Sequence, residues 1–130
     1  MTLALKRLDH FGVDVSDLDR AERFYTEVLG MRVELRLPDQ RLLRYGDGNC
    51  ALFWKPDRVP ADPAIIGDPL GKSHHAFEVP WDDLEAARHL FAERGIPHHA
   101  PIDWGDHHCL YFLDPDGNLL ELVGYPGRPR

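Results

Sequence analysis

The sequence is short of the features that would place it in several large functional classes. Its 130 residues include only two cysteines, Cys50 and Cys109, in unrelated contexts. This is typical of free thiols in a reducing compartment rather than of a disulfide framework. No apolar run approaches the roughly 20 residues of a membrane span, and the opening MTLALKRLDHFGVDV lacks the apolar core of a signal peptide. These absences predict a cytoplasmic protein with no membrane partner.

Basic charge is scarce as well. The formal net charge is −7, from 15 Lys and Arg against 22 Asp and Glu. General nucleic-acid binders rely on clustered Lys and Arg, and no basic stripe occurs here, so we expect no nucleic-acid partner. The remaining composition, 43% hydrophobic and 28% charged, is that of an ordinary globular chain, long enough for one compact domain or two small modules.

One pattern occurs twice along the chain. HFGVDV, which starts at His10, is similar to HHAFEV, which starts at His74, and each is a short strand pattern that opens with histidine. A helical stripe of apolar residues follows each strand and stops at a glycine, Gly30 in the first copy and Gly95 in the second. The same order of elements in both copies indicates an internal duplication.

The helix starts carry capping signals. Ser16 or Asp17 can cap the first helix, and Asp82 with Glu85 forms a capping-box pattern before the second. Further strands are predicted over residues 32–37, 40–45, 50–54, 109–113 and 119–123. The sequence therefore predicts an α+β fold of two βαβββ modules, residues 1–54 and 74–130, joined by a Pro-rich linker over 55–73.

The last predicted strand contains an unexpected acid. DPDGN, residues 114–118, is typical of a tight turn, so LLELV should be the returning strand of a hairpin. Both faces of this strand are apolar except at Glu121, which indicates a strand covered on both sides. An unpaired buried carboxylate costs several kcal/mol, so Glu121 must be neutralised, paired or bound to a cation.

The repeat suggests which cation. Overlaying the two copies places His10 and His74 at the same point, and a pseudo-twofold arrangement would bring both imidazoles to Glu121. Two histidines and one carboxylate suit Fe(II), Mn(II) or Zn(II) and leave positions open for a small-molecule substrate. Aligning the hairpin turns puts Leu52 where the first copy would carry the matching acid, so the predicted site is lopsided.

These residues also resemble a known family. LDHFGVDVSDLDRAERFYTEVLGM, HHAFEV and YFLDPDGNLLEL are similar to the vicinal oxygen chelate superfamily, which includes glyoxalase I, fosfomycin-resistance enzymes, bleomycin-resistance proteins and extradiol dioxygenases. The resemblance spans Leu8 to Val123. It implies paired βαβββ modules forming a cupped mixed sheet around a divalent metal, with His10, His74 and Glu121 as ligands.

The resemblance also has implications for assembly and chemistry. Two-module members commonly pair so that modules of different subunits share a site, so we expect a homodimer. In extradiol dioxygenases a tyrosine occurs on the strand before the ligand Glu, and Tyr111 stands there, opposite Glu121 if the hairpin is symmetric about Asp116. His107 shares parity with Tyr111 and is a second candidate for acid–base chemistry.

Several branches of the family stay open. The glyoxalase pattern needs a fourth ligand, which Leu52 or Phe53 cannot supply, whereas the larger extradiol enzymes carry a further catalytic His that is missing between His10 and His74. The fosfomycin pattern has Thr where this chain has Gly12. We expect an extradiol-dioxygenase-like oxidoreductase with Fe(II) or Mn(II) favoured over Zn(II). The alternatives are a glyoxalase-like isomerase, an epoxide-opening transferase of the fosfomycin type, and a metal-free drug-binding protein of the bleomycin-resistance type.

Other residues allow two interpretations each. The paired histidines of PHHAPIDWGDHHC either form a second metal site or are solvated; they are His98, His99, His107 and His108. Arg44 either faces inward to bind an anionic substrate or lies at a solvated edge. Trp104 lies in a loop that is placed to cover a pocket.

Overall fold

Each half of the chain folds as one βαβββ module, which confirms the predicted α+β class. The computed structural model describes residues 1–130. It divides into two units, Met1–Val59 and Pro60–Arg130, with the boundary inside the segment predicted as a linker. None of its helices has the length and apolar character needed to cross a membrane.

The first unit holds a four-stranded mixed sheet. Its elements are β1 Phe11–Val15, α1 Leu18–Arg23 continuing as a π-helical segment Phe24–Val28, β2 Arg32–Leu37, β3 Gln40–Tyr45 and β4 Gly48–Trp54. The strand order is β1-β4-β3-β2, with β1 parallel to β4 and the other pairs antiparallel. The Asp17 carboxylate caps α1 by accepting a hydrogen bond from the backbone N–H of Arg20 at 3.0 Å, as the sequence predicted.

The second unit repeats this order. Its elements are a 3₁₀ turn Pro63–Gly67, β5 His75–Glu78, α2 Asp83–Arg94, β6 Ile102–Asp103, β7 His108–Leu113 and β8 Leu119–Gly124. The strand order is β5-β8-β7-β6, with β5 parallel to β8. In both units the first strand is therefore a neighbour of the last, which is the pairing that brings the repeated histidine close to the last strand.

Two details of the second unit differ from expectation. The capping box at α2 is wrong: Asp82 makes no side-chain capping bond, and the Glu85 carboxylate instead accepts hydrogen bonds from the Arg88 guanidinium one turn later. The two-residue strand β6 was not predicted, because Pro and Gly flank it. The stop of α2 at Gly95, with φ of +66°, is as predicted.

The second sheet has two distinct faces. One packs against α2, where the rings of Phe91 and Phe112 lie 4.6 Å apart. The opposite face, which we call the Glu121 face, carries on β7 and β8 the residues Cys109, Tyr111, Leu113, Leu119, Glu121 and Val123. Ile65 and Ile66 of the 3₁₀ turn pack against the Cys109, Tyr111, Leu113 and Leu119 cluster of this face.

The hairpin between β7 and β8 is held by one buried carboxylate. Asp114 is 4% exposed, and its Oδ1 accepts hydrogen bonds from the backbone N–H groups of Asp116 and Asn118 at 2.9 and 2.8 Å. Its Oδ2 accepts one from the Asn118 side-chain amide at 2.8 Å. This is the side-chain-to-backbone bonding that makes Asp favourable in turns. Because the turn is closed this way, β7 and β8 pair without slippage.

The close approach at Gly117 yields a stability prediction. A Cβ atom there would lie 2.8 Å from Ala61 Cβ and 2.9 Å from the Ala61 backbone N and O, and φ is +81°. Gly117→Ala combines backbone strain with a clash against main chain, so we expect a loss of about 2 to 4 kcal/mol in the free energy of unfolding. Urea denaturation monitored by circular dichroism measures it.

Gly95→Ala is the matched control. Gly95 also has positive φ, +66°, but a methyl group added there would meet nothing within 4 Å. It should cost only the backbone strain of about 1 kcal/mol. Equal losses for the two variants would show that the contact with Ala61 has no energetic weight.

Candidate metal centre

Glu121 lies in the middle of β8, between β5 and β7. Its register partners are Ala76 on β5 and Tyr111 on β7, so the predicted opposition of Tyr111 and Glu121 is confirmed. The residue is 8% exposed, in a strand whose flanking residues are also buried. The expectation of an acid in a strand covered on both faces is therefore correct.

His74 immediately precedes β5 and turns its ring toward this acid. Its Nε2 lies 3.0 Å from Glu121 Oε1. Its Nδ1 lies 2.7 Å from the carbonyl oxygen of Lys72. A carbonyl oxygen can only accept, so Nδ1 carries a proton and donates it.

This tautomer has an electrostatic consequence. With the proton on Nδ1, a neutral imidazole would direct the lone pair of Nε2 at an anionic oxygen, which is repulsive. The close approach of His74 to Glu121 therefore requires either a shared proton or a metal ion between them. Two donor atoms about 2.1 Å from one metal, at right angles, would lie about 3.0 Å apart, which is the spacing seen. The pair fits a divalent cation.

Tyr111 is the third side chain of the group around Glu121. Its ring lies 5.3 Å from the His74 ring at 72°, an edge-to-face contact. Burial, followed by the negative charge of Glu121 and a hydrogen bond to it, raises the pKa of the Tyr111 hydroxyl to about 12. The phenol is consequently a proton-bearing donor throughout the physiological pH range.

Two contacts near Glu121 were missed by sequence reasoning. Cys109 lies two residues before Tyr111 on the same face, and burial together with the Glu121 carboxylate raises the pKa of its thiol to about 11. The Trp104 indole Nε1 donates a hydrogen bond to Cys109 Sγ at 3.1 Å. Cys109 had a detectable signal, its parity with Tyr111. Trp104 was expected in a covering loop, and its bond to Cys109 had no signal because β6 was not predicted.

The other candidate histidines lie apart from this group. His107 Nδ1 is 2.6 Å from Asp106 Oδ1, and its ring stacks near Trp104 and Tyr125 at 6.4 and 5.0 Å. The structure shows no contact of His107 with Tyr111 or Glu121, so its catalytic role stays a prediction. No second metal site is formed by the paired histidines, since no group of three metal-ligating side chains occurs there.

In the first unit, His10 immediately precedes β1 just as His74 precedes β5. Its Nδ1 lies 2.8 Å from Asp9 Oδ2, and a carboxylate on one imidazole nitrogen is the support that metal-binding histidines usually have. The Asn49 side-chain amide anchors this segment by donating to the Asp9 carbonyl at 3.0 Å. Nε2 is the nitrogen left to bind a metal.

A cavity of about 400 Å³ in the first unit contains His10. Leu42 and Phe53 contribute apolar surface to its lining, and Arg44 lines it as well. The Arg44 side chain is nevertheless half exposed, and its Nε donates a hydrogen bond to Glu34 at 2.9 Å, so it lies at the solvated edge of the cavity. The cavity can take a small molecule with both an apolar and a polar part.

The strand registers correct the position of the missing acid. Ala76, two residues after His74, pairs with Glu121, whereas Gly12, two residues after His10, pairs with Ala51. The first-module counterpart of Glu121 is Ala51 rather than Leu52, which is fully buried on the opposite face of its strand. The error arose because the two hairpin turns differ in length. Alanine has no ligand atom either, so the first module still lacks an equivalent of the Glu121 carboxylate.

No group of three metal-ligating side chains occurs in the structure. The second unit holds His74 and Glu121 as an adjacent pair, and in the first unit the His10 imidazole contacts Asp9. The donor types, two imidazoles and a carboxylate, suit a divalent first-row metal.

The sequence of the chain is similar to known proteins. A sequence model of the Glyoxalase/Bleomycin resistance protein/Dioxygenase superfamily matches residues 7–122. The chain is 32% identical over 124 residues to biphenyl-2,3-diol 1,2-dioxygenase 3 of Rhodococcus globerulus, covering 89% of this chain but 62% of that relative. It is 30% identical over 122 residues to the glutathione transferase FosA of Serratia marcescens, covering 91% and 80% of the two chains.

Solved structures show the same fold. A glyoxalase/dioxygenase from Nostoc punctiforme superposes with a TM-score of 0.79 at 24% identity, and the alignment covers 97% of both chains. At this identity the likeness concerns the fold alone.

Proposed function

Because the chain belongs to the glyoxalase/bleomycin resistance protein/dioxygenase superfamily, we propose that it is a divalent-metal-dependent enzyme whose small substrate chelates the metal through two neighbouring oxygen atoms. The ligands are His74 and Glu121 of the second module and His10 of the first, with Fe(II) or Mn(II) favoured over Zn(II). Within the family we favour extradiol-dioxygenase-like chemistry on a catechol-type substrate.

One observation carries the proposal. The His74 imidazole donates from Nδ1 to a carbonyl and holds Nε2 3.0 Å from the buried Glu121 carboxylate, a spacing that suits two ligands of one divalent metal. A metal there supplies Lewis acidity and, if it is iron, redox capacity toward dioxygen. Lys72 fixes the tautomer of His74 through its carbonyl, so the imidazole is ready to bind without rearrangement.

Tyr111 supports the dioxygenase assignment. It faces Glu121 across the hairpin and holds its proton, since burial raises the pKa of its hydroxyl to about 12. A protonated phenol beside the ligand carboxylate donates a hydrogen bond to a substrate oxygen as negative charge develops on it. The same strand position is occupied by tyrosine in the extradiol branch.

A second candidate is thiol addition to an epoxide. The observation in its favour is the FosA relative, of which this chain covers a larger share than of the dioxygenase relative, 80% against 62%. Gly12, whose position would carry the Thr of the fosfomycin pattern, lies against the Phe53 ring. A Cβ at Gly12 would come within 2.6 Å of Phe53, so this wall is apolar in the present chain.

The metal assignment predicts about one divalent ion per chain. Glu121→Gln and His74→Gln should each lose tight binding while the fold is kept, because Gln removes the charge or the nitrogen without leaving a large cavity. Elemental analysis of protein purified without a histidine tag measures the metal content. His75→Gln is the control, since His75 is the adjacent residue on the other side of the chain, and it should retain the ion. Undiminished metal in Glu121→Gln would refute the assignment.

We further propose a homodimer in which His10 of one chain meets His74 and Glu121 of the other. His10→Ala and Glu121→Ala chains should each be metal-free alone, but their mixture should regain about one ion per four chains, because half of the dimers would carry one intact site. Light scattering gives the mass. Recovery of no metal on mixing, or a monomeric mass with metal bound, would contradict the shared site.

Tyr111→Phe tests the chemistry. The change keeps the ring but removes the donor, so kcat should fall by about 30- to 1,000-fold, corresponding to about 2 to 4 kcal/mol, while stability changes little. Oxygen uptake by anaerobically prepared Fe(II) protein on a panel of catechols gives the rate. Methylglyoxal–thiol adducts and fosfomycin with Mn(II) are the competing panels. Activity confined to these two would exclude the dioxygenase assignment, and full activity of Tyr111→Phe would exclude the role of the tyrosine.

A further inference from the structure

The indole of Trp104 is held at the margin of the Glu121 face by an unusual set of contacts. Ile102, two residues earlier, pairs with Cys109 and packs against the same cluster. Trp104 follows in a turn closed by its backbone N–H donating to the His107 carbonyl at 2.9 Å, with the Asp103 carboxylate accepting from Gly105 N–H at 2.7 Å. The turn is therefore well bonded rather than loose.

The indole edge is tied to the metal-ligand group. Trp104 Nε1 donates to Cys109 Sγ at 3.1 Å, and the Cys109 thiol is itself in contact with the Glu121 carboxylate. Only one side chain thus separates the indole from a predicted metal ligand.

The indole face is nevertheless open. Trp104 is 48% exposed, although its only polar atom is already satisfied. A tryptophan that served only to cover Cys109 would bury its rings, since their apolar surface is the larger part of the side chain. The exposed ring surface of Trp104 is therefore available for contact with a ligand.

A row of planar groups supports the indole. The His107 imidazole lies nearly parallel to it, at 6.4 Å and 20°. The Tyr125 ring follows at 5.0 Å and 27°, and the Arg128 guanidinium lies 3.8 Å from the centre of that ring. Since this row occupies the region on one side, the indole is fixed in orientation and can present its remaining surface to a ligand.

We propose that Trp104 is a specificity-determining residue against which the planar ring of an aromatic, oxygen-chelating substrate packs. The inference rests on the proposed function and adds a residue that selects aromatic over aliphatic chelators. An aliphatic chelator would reach the metal but would gain no contact with the indole. It also gives His107 a positioning role, as the support of Trp104.

Equilibrium binding of two chelating ligands, measured without turnover, tests the role of Trp104. Catechol and acetohydroxamate both offer two neighbouring oxygen atoms, but only catechol has an aromatic ring. In anaerobic, metal-loaded protein, Trp104→Leu should weaken catechol binding about 3- to 10-fold, the range expected from one aromatic contact. Acetohydroxamate binding should not change. Trp104→Phe, which keeps a ring but loses the N–H donor, should restore most of the catechol affinity.

Trp54→Leu is the matched control. Trp54 is 46% exposed, and its indole nitrogen is also engaged, donating to the Ser16 carbonyl at 3.2 Å. The Trp54→Leu substitution should nevertheless leave the affinities for catechol and acetohydroxamate unchanged. In a Trp54→Phe/Trp81→Phe protein, Trp104 is the sole tryptophan, and catechol but not acetohydroxamate should protect its fluorescence from acrylamide quenching.

The possible outcomes distinguish failure of the role given to Trp104 from failure of the proposed function. Catechol affinity unchanged in Trp104→Leu, or weakened equally with acetohydroxamate, would overturn the role of Trp104 while leaving the metal site in place. Failure of the wild-type protein to bind either chelator would overturn the proposed function and the inference together.

Discussion

The carboxylate of Asp114 is the constraint on which the second module depends. It accepts two backbone N–H groups and one side-chain amide within the turn, so the hairpin cannot slip by a residue. A one-residue slip would move every side chain of β8 to the other face of the sheet. Glu121 would then point at the face that packs against α2, away from His74 and Tyr111. The chemistry of the candidate site is therefore set by a turn several residues away.

The strand register determines which side chains surround the Glu121 carboxylate. His74 is directed by the Lys72 carbonyl so that its second nitrogen faces the acid, and Tyr111 adds a proton donor. The pair that we propose as metal ligands is therefore already in place, and its carboxylate is only 8% exposed. Burial makes this interaction stronger than it would be at the surface, which favours a preorganised site.

Much of this was predictable, and the reasons are physical. The turn residues define the hairpin register, so the opposition of Tyr111 and Glu121 followed from the sequence, and β2 and β3 occur over the residues predicted. Alignment by turns failed in the first module because the β3–β4 turn is shorter than the β7–β8 turn, and Ala51 rather than Leu52 lies at the position equivalent to Glu121. The position of Trp104 beside Cys109 was not predicted, because a two-residue strand between Pro and Gly has no periodicity to detect. The contact of Trp104 with Cys109 is a tertiary one, and no local pattern encodes it.

The two modules have diverged in opposite directions from the shared pattern. The first retains the imidazole with its supporting carboxylate, Asp9, but has alanine in place of the acid, and its cavity is lined by Leu42, Phe53 and Arg44. The second retains both ligands and surrounds them with proton donors and an exposed indole. Removing the acid from one copy lowers the negative charge around a metal and leaves coordination positions open, which a chelating substrate requires. The two copies are thus chemically unlike: the second holds an imidazole–carboxylate pair beside a phenol, and the first holds one imidazole at the edge of a cavity.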